Sequence, residues 1–561
     1  MPPSQILSIF SVEVLDSRLE PPKDEKKRQQ ITADAGPVRW YTLEFFVYAL
    51  IFAICVPLMF KAAIDASSAS NINYAKYEHL LDQGWMFGRK VDNSDLQYQA
   101  VRNNFPYLFM VIGIHYLLRQ GAIALKIGRI TFDVAFGLLF LAGVHGISVM
   151  KILLILTINF YISRLTDRKL AYLFSWIYGV AILFANELLL GYPLESFHQS
   201  LAWLDNYGGL MPRWEVLFKF TMIRMISYNI DYLDAVVNES HQKSSPAEPK
   251  QIKKFDIEDE RQRISTCHQL SQYSFKNYIA YSIYSPFYLA GPIVTFNDFL
   301  YQSKSPLSSV NRKRVIPYAF RFLFCLLVME VLLHYTYVVA ISKTRAWEGD
   351  SPFEISMIAL FNLNVIWLKL LLPWRLFRLW GLIDKIDGPE NMLRCVNNNY
   401  SALSFWRSWH RSYNRWVIRY IYVPLGGSKR PIVNTLVVFT FVAIWHDIQL
   451  HLLFWGWLVV VFIIPEVVMS LVLPAKKYGK YGWYRHACAV GAVANIWMMM
   501  IANLVGFCVG LDGIQEMLDQ MIHTADGLKY IIFSSMALFV GVQAMFEFRE
   551  REKRAGMNLR C

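Results

Sequence analysis

The chain has 561 residues, of which 55% are hydrophobic and 18% are charged. Soluble domains hold about 45–50% apolar and about 25% charged residues, so the excess apolar surface is expected to face lipid. The formal net charge of +13 comes from Lys and Arg residues beside apolar runs. This pattern is typical of positive loops at an anionic membrane surface and argues against nucleic-acid binding.

A helix that crosses a membrane needs about 20 largely apolar residues. Twelve segments approach this length, near Leu43–Phe60, Phe105–Leu118, Ile130–His145, Ile147–Ile162, Leu170–Leu190, Trp214–Leu233, Val315–Ile341, Ile355–Leu382, Val433–Ile448, Leu450–Leu473, Cys488–Val509 and Tyr530–Phe548. They predict an all-α polytopic membrane protein with about 10–12 transmembrane helices. The basic stretch in Pro21–Arg28 stands well before the first apolar segment, so that segment is expected to act as an uncleaved insertion signal.

One membrane domain is predicted over residues 43–548, between a polar N-terminal tail (1–42) and a basic C-terminal tail (549–561). Residues 238–272 interrupt it as a charged, Pro-containing polar loop. Both tails and this loop carry Lys and Arg residues, which favours the cytosolic side for both termini and agrees with an even number of spans. The seven cysteines show neither close pairing nor metal-ligand spacing, so no disulfide framework and no metal site are predicted.

Polar groups at bilayer depth cost free energy and are therefore functional candidates. The apolar segments contain several of them: His115, His145, Asn186, Glu187, Arg224, Asn229, Asp231, Glu330, His334, His446, Asn495 and Asn503. Hydrogen bonds between helices, or positions at span ends, would also explain most of these residues. The segment Tyr284–Pro292, which holds two prolines and a glycine, predicts a broken or re-entrant element, with an interfacial loop as the alternative.

The segment Ser404–Ser428 reads SFWRSWHRSYNRWVIRYIYVPLGGS and predicts one helix as far as Val423, where Pro424 follows. Arginines recur along it at every fourth position, as Arg407, Arg411, Arg415 and Arg419. They could snorkel from an interfacial helix, or they could bind a nucleotide or phospholipid phosphate. Neither interpretation explains His410, which continues a row of its own with Asn414.

A second histidine follows an apolar run. His446 lies 15 residues after Pro431, which is about 22 Å of helix at about 1.5 Å per residue. Because the hydrocarbon layer is about 30 Å thick, His446 is predicted to lie well inside the membrane. Desolvation there favours the neutral imidazole, which is the form that a general base needs. Asp447 lies on a different helical face, so no hydrogen-bonded dyad is assumed.

Three motifs between Arg394 and Asp447 resemble the core of the membrane-bound O-acyltransferase superfamily. They are the Phe-Trp-Arg-x-Trp-His element at Phe405–His410, the Tyr-x-x-x-Pro-Leu-Gly-Gly turn at Tyr420–Gly427 and the pair Trp445-His446. Residues 394–448 are thus identified as the catalytic core. The resemblance extends over most of the chain and is strongest to fungal Gup-type proteins. Bacterial alginate and teichoic-acid acyl-transfer proteins and hedgehog acyltransferase are also similar.

The resemblance implies a ring of membrane helices and re-entrant elements around a central tunnel. It implies an O-acyltransferase with His446 as the main catalytic residue and His410 as the second catalytic position, which is Asn or Asp in other branches. Substrate binding is expected from the neighbouring polar and aromatic residues Arg407, Arg411, Asn414, Arg415 and Trp445. Hedgehog acyltransferase carries a haem-ligating Cys in the region of Cys395, so haem is a further option, although no cofactor is required.

The resemblance also implies the substrates. The expected donor is a long-chain or very-long-chain acyl-CoA. The expected acceptor is the sn-2 hydroxyl of lyso-phosphatidylinositol in glycosylphosphatidylinositol (GPI) anchored proteins, or another lysophospholipid. The expected location is the endoplasmic reticulum membrane, with the plasma membrane as an alternative. A rival hypothesis is a proton-coupled glycerol transporter that relays protons through Glu330, His334 and Asp231, although the chain shows no internal repeat.

Overall fold

The computed structural model describes residues 8–13, 24–244, 260–448 and 450–558. The first helices are α1 (Glu25–Ala33), α2 (Leu43–Ala66), α3 (Tyr74–Tyr77), α4 (Leu96–Ala124), α5 (Arg129–His145), α6 (Val149–Ile162), α7 (Arg168–Leu188) and α8 (Trp214–Ser244). The middle helices are α9 (Glu260–Ser265), α10 (Phe275–Ser282), α11 (Ser285–Tyr288), α12 (Phe296–Lys304), α13 (Arg312–Tyr335), α14 (Val338–Thr344) and α15 (Pro352–Ile383). The last helices are α16 (Ala402–Ser408), α17 (Arg411–Val417), α18 (Pro431–His446), α19 (Leu450–Val472), α20 (Ala475–Tyr478), α21 (Gly482–Phe507), α22 (Gly510–Ile522) and α23 (Ala525–Arg554).

Shorter elements connect these helices. Strands β1 (Leu81–Gln83) and β2 (Lys90–Asp92) pair as an antiparallel hairpin in which Leu81 lies opposite Asp92. Single 3₁₀ turns are Ser8–Phe10, Glu78–Leu80, Gly146–Ser148, Leu194–Ser196, Gln199–Asn206, Leu270–Gln272, Val396–Asn398 and Gly427–Lys429, and a π-helical turn covers Ile418–Tyr422. The helical architecture predicted from the sequence is confirmed.

Twelve helices fall on the twelve predicted segments, namely α2, α4, α5, α6, α7, α8, α13, α15, α18, α19, α21 and α23. Within the described residues, nine stretches are long and apolar enough to cross a membrane. The count is lower than twelve for three reasons. Helices α5 and α6 are joined by the 3₁₀ turn Gly146–Ser148 and count as one stretch of 34 residues. Helix α8 is less apolar because it carries Lys219, Arg224 and Asp231, and α18 is short, with only 16 residues.

Helices α5 and α6 cross the membrane separately because the chain reverses between them. Gly146 has a φ of +54°, and an added Cβ there would lie 1.8 Å from the carbonyl oxygen of Tyr207, so only glycine fits the turn. The far ends of the two helices both reach α10. Thr131 in α5 accepts a hydrogen bond from Lys276, and the Phe160 ring in α6 lies 5.2 Å from that of Phe275.

The two terminal segments lie on one face of the helix array, which we call the terminal face. The backbone N–H of Gly36 donates to the Glu550 carboxylate at 2.6 Å, and Arg554 donates to the Gly36 carbonyl at 2.8 Å. Successive membrane helices alternate in direction from α2 onward, so α5 begins and α6 ends at this face, whereas α7 ends at the opposite face.

The lysine-rich turn at Ala475–Tyr478 also lies at the terminal face, since Tyr484 beyond it bonds to Leu473 and Arg485 lies over the Phe45 ring. Positive loops favour the cytosolic side.

The broken element predicted at Tyr284–Pro292 is present, as the single turn α11 between α10 and α12. Arg224 of α8 supports the break from within the protein. Its buried guanidinium donates to the carbonyl of Ser282 at 2.8 Å and also to the carbonyl of Phe287. These bonds satisfy backbone groups that no regular helix would satisfy at this depth.

The predicted polar boundaries need correction because helices extend across them. Helix α8 continues to Ser244 and α9 begins at Glu260, so the predicted loop 238–272 is partly helical, while residues 245–259 lie outside the described residues. Helix α23 continues to Arg554 into the predicted C-terminal tail, where Arg549 donates to the Asn398 carbonyl at 2.7 Å. Packing against other segments extends these helices beyond their apolar part. Residues 14–23 and 559–561 of the predicted tails also lie outside the described residues.

Candidate active site

The prediction of one helix from Ser404 to Val423 is wrong at His410. Helix α16 ends at Ser408 and α17 begins at Arg411, with His410 between them in the left-handed conformation at φ +43°. A non-glycine residue in this region is uncommon and costs free energy, and such residues cluster at functional sites. The break removes His410 from the continuous helical face that the sequence predicted.

Asn391, from the loop after α15, holds the chain in this broken conformation. Its carbonyl accepts the backbone N–H of Arg411 at 3.0 Å, and its side-chain oxygen accepts that of Ser412 at 3.1 Å. On the other side of the break, the amide of Asn414 donates to the carbonyl of Trp406 at 2.9 Å and bridges the two helices. These bonds supply partners for backbone groups that an unbroken helix would pair internally.

Four aromatic rings enclose the His410 imidazole. Trp374 stacks on it at 4.7 Å between ring centroids and Tyr413 at 5.4 Å, while Trp445 and Phe220 lie at 6.2 and 6.3 Å. The side chain is 6% exposed, and its Nε2 atom has no hydrogen-bond partner within the described part of the chain. A buried polar atom without a partner calls for an explanation, and a bound substrate group is one that suits an acyltransferase.

His446 is the last residue of α18, and its side chain is exposed, unlike that of His410. Its ring lies 4.9 Å from that of Trp445, which itself stacks on Tyr413 at 4.3 Å. The Trp445 ring lies 6.2 Å from that of His410, so the same indole contacts both imidazoles. One accessible imidazole therefore stands beside one buried imidazole, with Trp445 in contact with both.

Lys219 of α8 fixes the end of α18. Its Nζ donates to the carbonyl oxygen of His446 at 2.7 Å, and its own carbonyl accepts the indole N–H of Trp445 at 3.0 Å. Lys219 also lies 3.8 Å from the carboxylate of Glu187, near the end of α7. Because α7 ends at the face opposite the termini, the site lies nearer to that opposite face.

The four arginines of the motif have different surroundings. Arg407 is exposed, whereas Arg411 is only 7% exposed. Arg415 forms an ion pair with Glu260, and Arg419 bonds to Asp231 at 3.1 Å. Substrate binding by Arg407, Arg411, Asn414, Arg415 and Trp445 stays a prediction.

We predict that Arg415 exchanges Glu260 for a substrate phosphate. Arg415→Ala should then raise the KM of the phosphate-bearing substrate about fivefold with little change in kcat, a loss of about 1 kcal/mol for a partly exposed charged hydrogen bond. Glu260→Gln should lower the same KM because it releases the guanidinium. Steady-state kinetics of both variants test this prediction. Equal KM values for Arg415→Ala and the unmodified protein would contradict this prediction and would show that the ion pair between Arg415 and Glu260 is only structural.

Four residues of the site were missed from the sequence: Lys219, Phe220, Trp374 and Asn391. A lysine inside an apolar run was the available signal for Lys219. The other three lie far from the motif along the chain, and only the packing of α8 and α15 against α17 brings them to His410.

The haem option rests on Cys395, and haem binding there stays a prediction. Burial, together with the nearby carboxylate of Glu13, raises the pKa of the Cys395 thiol to about 12. Glu13 also accepts the backbone N–H of Cys395 at 3.0 Å. No step of the reaction proposed below depends on haem. Over the described ranges, no group of three or more His, Cys, Asp and Glu side chains is placed to hold a metal ion, and the six cysteines from Cys55 to Cys508 are free.

Comparison with known proteins shows the family of the chain. Residues 200–511, which include both histidines, match the membrane-bound O-acyltransferase family. The chain is 52% identical to membrane-bound O-acyltransferase GUP1 of Candida tropicalis over 567 residues, covering 100% of this chain and 96% of that protein. It is 50% identical to GUP1 of Saccharomyces cerevisiae, covering 99% and 98% of the two chains. Mouse protein-cysteine N-palmitoyltransferase HHAT is 29% identical over 34% of this chain and 39% of its own length.

The chain belongs to the membrane-bound O-acyltransferase family. It is a multi-pass membrane enzyme that transfers an acyl group to an acceptor oxygen.

Proposed function

We propose that this enzyme transfers a long or very long acyl chain from acyl-CoA to the sn-2 hydroxyl of lyso-phosphatidylinositol in GPI anchors, in the endoplasmic reticulum membrane. The observation that carries the chemistry is the pairing of the exposed His446 with the buried His410, whose Nε2 is unpartnered among the described residues. The substrate assignment rests on the similarity to Gup-type proteins.

His446 acts as the general base in this proposal. Its neutral imidazole takes the proton of the acceptor hydroxyl while the hydroxyl oxygen forms a bond to the thioester carbonyl carbon. The carbon–sulfur bond then breaks, and CoA leaves as a thiolate that takes up the proton from His446. Since the thiolate is already a good leaving group, the protein mainly aligns and activates the hydroxyl.

The position of His446 near the face opposite the chain termini supports entry of the acceptor from that face. Lys219 and Glu187 place His446 near the face away from the termini. If the terminal face is cytosolic, as positive loops favour, the acceptor hydroxyl arrives from the lumenal side. This is the side on which GPI-anchored proteins reside, while acyl-CoA comes from the cytosol through the protein.

The three residues that would relay protons in a transporter, Glu330, His334 and Asp231, form hydrogen bonds or ion pairs within the protein. Glu330 forms two hydrogen bonds of 2.7 Å with Arg102, and His334 Nε2 accepts the backbone N–H of Trp85 at 3.3 Å. Asp231 pairs with Arg419. Although His334 also lies 3.8 Å from the Glu330 carboxylate, the bonds to Arg102, Trp85 and Arg419 favour a structural role for these residues.

The test is transfer by the purified protein in detergent, with radiolabelled acyl-CoA and lyso-phosphatidylinositol. Labelled phosphatidylinositol should form without any sealed compartment, which a pure transporter could not achieve. Lyso-phosphatidylcholine and glycerol as acceptors measure head-group selectivity, and fatty-acid mapping with phospholipase A2 locates the new ester. Preferred acylation of glycerol would contradict the proposed acceptor.

A further inference from the structure

A cavity of about 400 Å³ lies away from the active site, between α5, α6 and α10. Its lining residues are Val134, Leu138, Leu153, Thr157, Phe275, Lys276 and Ile279. We call this cavity the α5–α6 groove. None of these residues belongs to the aromatic cluster around His410.

The walls of the α5–α6 groove are apolar and face the lipid. The hydroxyl of Thr157 donates to the carbonyl of Leu153 at 2.7 Å, so this residue presents its methyl group to the cavity. Leu139 and Leu154, beside the lining residues on the same two helices, are 66% and 61% exposed. Apolar residues with such exposure in membrane helices contact hydrocarbon chains.

Lys276 stands where the α5–α6 groove meets the terminal face. Its side chain is exposed, and its Nζ donates to the Thr131 hydroxyl at 2.8 Å. In the residues that the structure describes, no carboxylate pairs with Lys276. An ammonium with a hydroxyl beside it at the membrane surface is complementary to a lipid phosphate.

A second cation lies close to the same end. The Arg164 guanidinium lies 4.7 Å from the Phe160 ring centroid, and that ring packs on Phe275 of the lining at 5.2 Å. Arg164 donates to the hydroxyl of Tyr228 at 2.9 Å rather than to an acid. The apolar α5–α6 groove therefore ends near two cationic side chains, Arg164 and the exposed Lys276, and Arg164 also donates to the carbonyl of Tyr273.

We propose that the α5–α6 groove is a binding site for an anionic glycerophospholipid of the bilayer. One acyl chain lies along Leu138 and Leu153, and the phosphate meets Lys276 and Thr131. The site is separate from the one that carries out acyl transfer, so the lipid bound there is a structural or regulatory ligand rather than a substrate.

The experiment is native mass spectrometry of the lipid-stripped full-length protein, titrated with phosphatidylglycerol or phosphatidylcholine of the same chain length. The unmodified protein should retain phosphatidylglycerol about fivefold more strongly, the contribution of one lysine at a membrane surface. Lys276→Met keeps the apolar stem and should bring the two lipids to equal retention. Lys313→Met removes another exposed lysine from the terminal face and should leave the preference unchanged.

Leu138→Trp tests the acyl-chain part of the site, because the larger ring fills the α5–α6 groove. This variant should no longer retain the most strongly held molecule of either phosphatidylglycerol or phosphatidylcholine. The melting temperature of the detergent-solubilised variant should equal that of the unmodified protein. Retention of phosphatidylglycerol by Lys276→Met at the unmodified level overturns the phosphate contact. Undiminished retention by Leu138→Trp overturns the placement of the chain.

Discussion

Replacing His446 with Ala is expected to abolish acyl transfer while the protein still folds and inserts into the membrane. A positioned general base contributes a factor of about 10²–10⁴ to a rate, so the loss should reach at least this range. The fold should survive because the imidazole is exposed and no buried partner is left unsatisfied. The bond from Lys219 goes to the backbone carbonyl of His446, which the substitution retains.

His446→Gln sharpens the measurement, because glutamine keeps a polar side chain but cannot take up a proton. It should be as inactive as the alanine variant in the purified transfer assay. His523→Ala removes an exposed histidine outside the site and should retain full activity. A well-expressed His446→Ala protein with full activity would remove the central role of this residue.

Apolar periodicity located the membrane helices well, because each of the twelve predicted segments contains a helix. It separated α5 from α6 at Gly146 but could not supply the reason, since the contact with Tyr207 that requires glycine comes from 61 residues further along the chain. It also ended α2, α8 and α23 too early. Those helices continue on polar residues, some of which bond to other segments, as Arg549 of α23 does to Asn398.

The sequence motif predicted His410 and His446 as site residues but not the geometry around them. Helical periodicity assumes regular backbone, and His410 departs from it at φ +43°. The bonds that stabilise this departure come from Asn391, and the enclosing rings of Trp374 and Phe220 come from α15 and α8. Contacts between residues so distant in the chain carry no signal in a single sequence.

The remaining prediction separates two roles for His410. If its imidazole donates a hydrogen bond that orients substrate, His410→Asn should keep much of the transfer rate, because an amide can still donate. If it is a second acid–base group, the asparagine variant should lose a factor of about 10²–10⁴. We expect the orienting role, because the Nε2 atom of His410 has no partner elsewhere in the described chain and can therefore donate to a substrate.

The left-handed backbone at His410 determines which variants make the comparison fair. Histidine and alanine both carry a Cβ and both bear a cost of about 1–2 kcal/mol in this conformation, so His410→Ala reports mainly on the side chain, whereas asparagine and glycine also relieve the backbone. His410→Gly removes the side chain without that strain and should be as slow as the alanine variant if the imidazole matters. Rates are compared at matched expression with His446 intact. An inactive asparagine variant that binds substrate normally would overturn the orienting role, and a glycine variant at full rate would discard His410 from the mechanism.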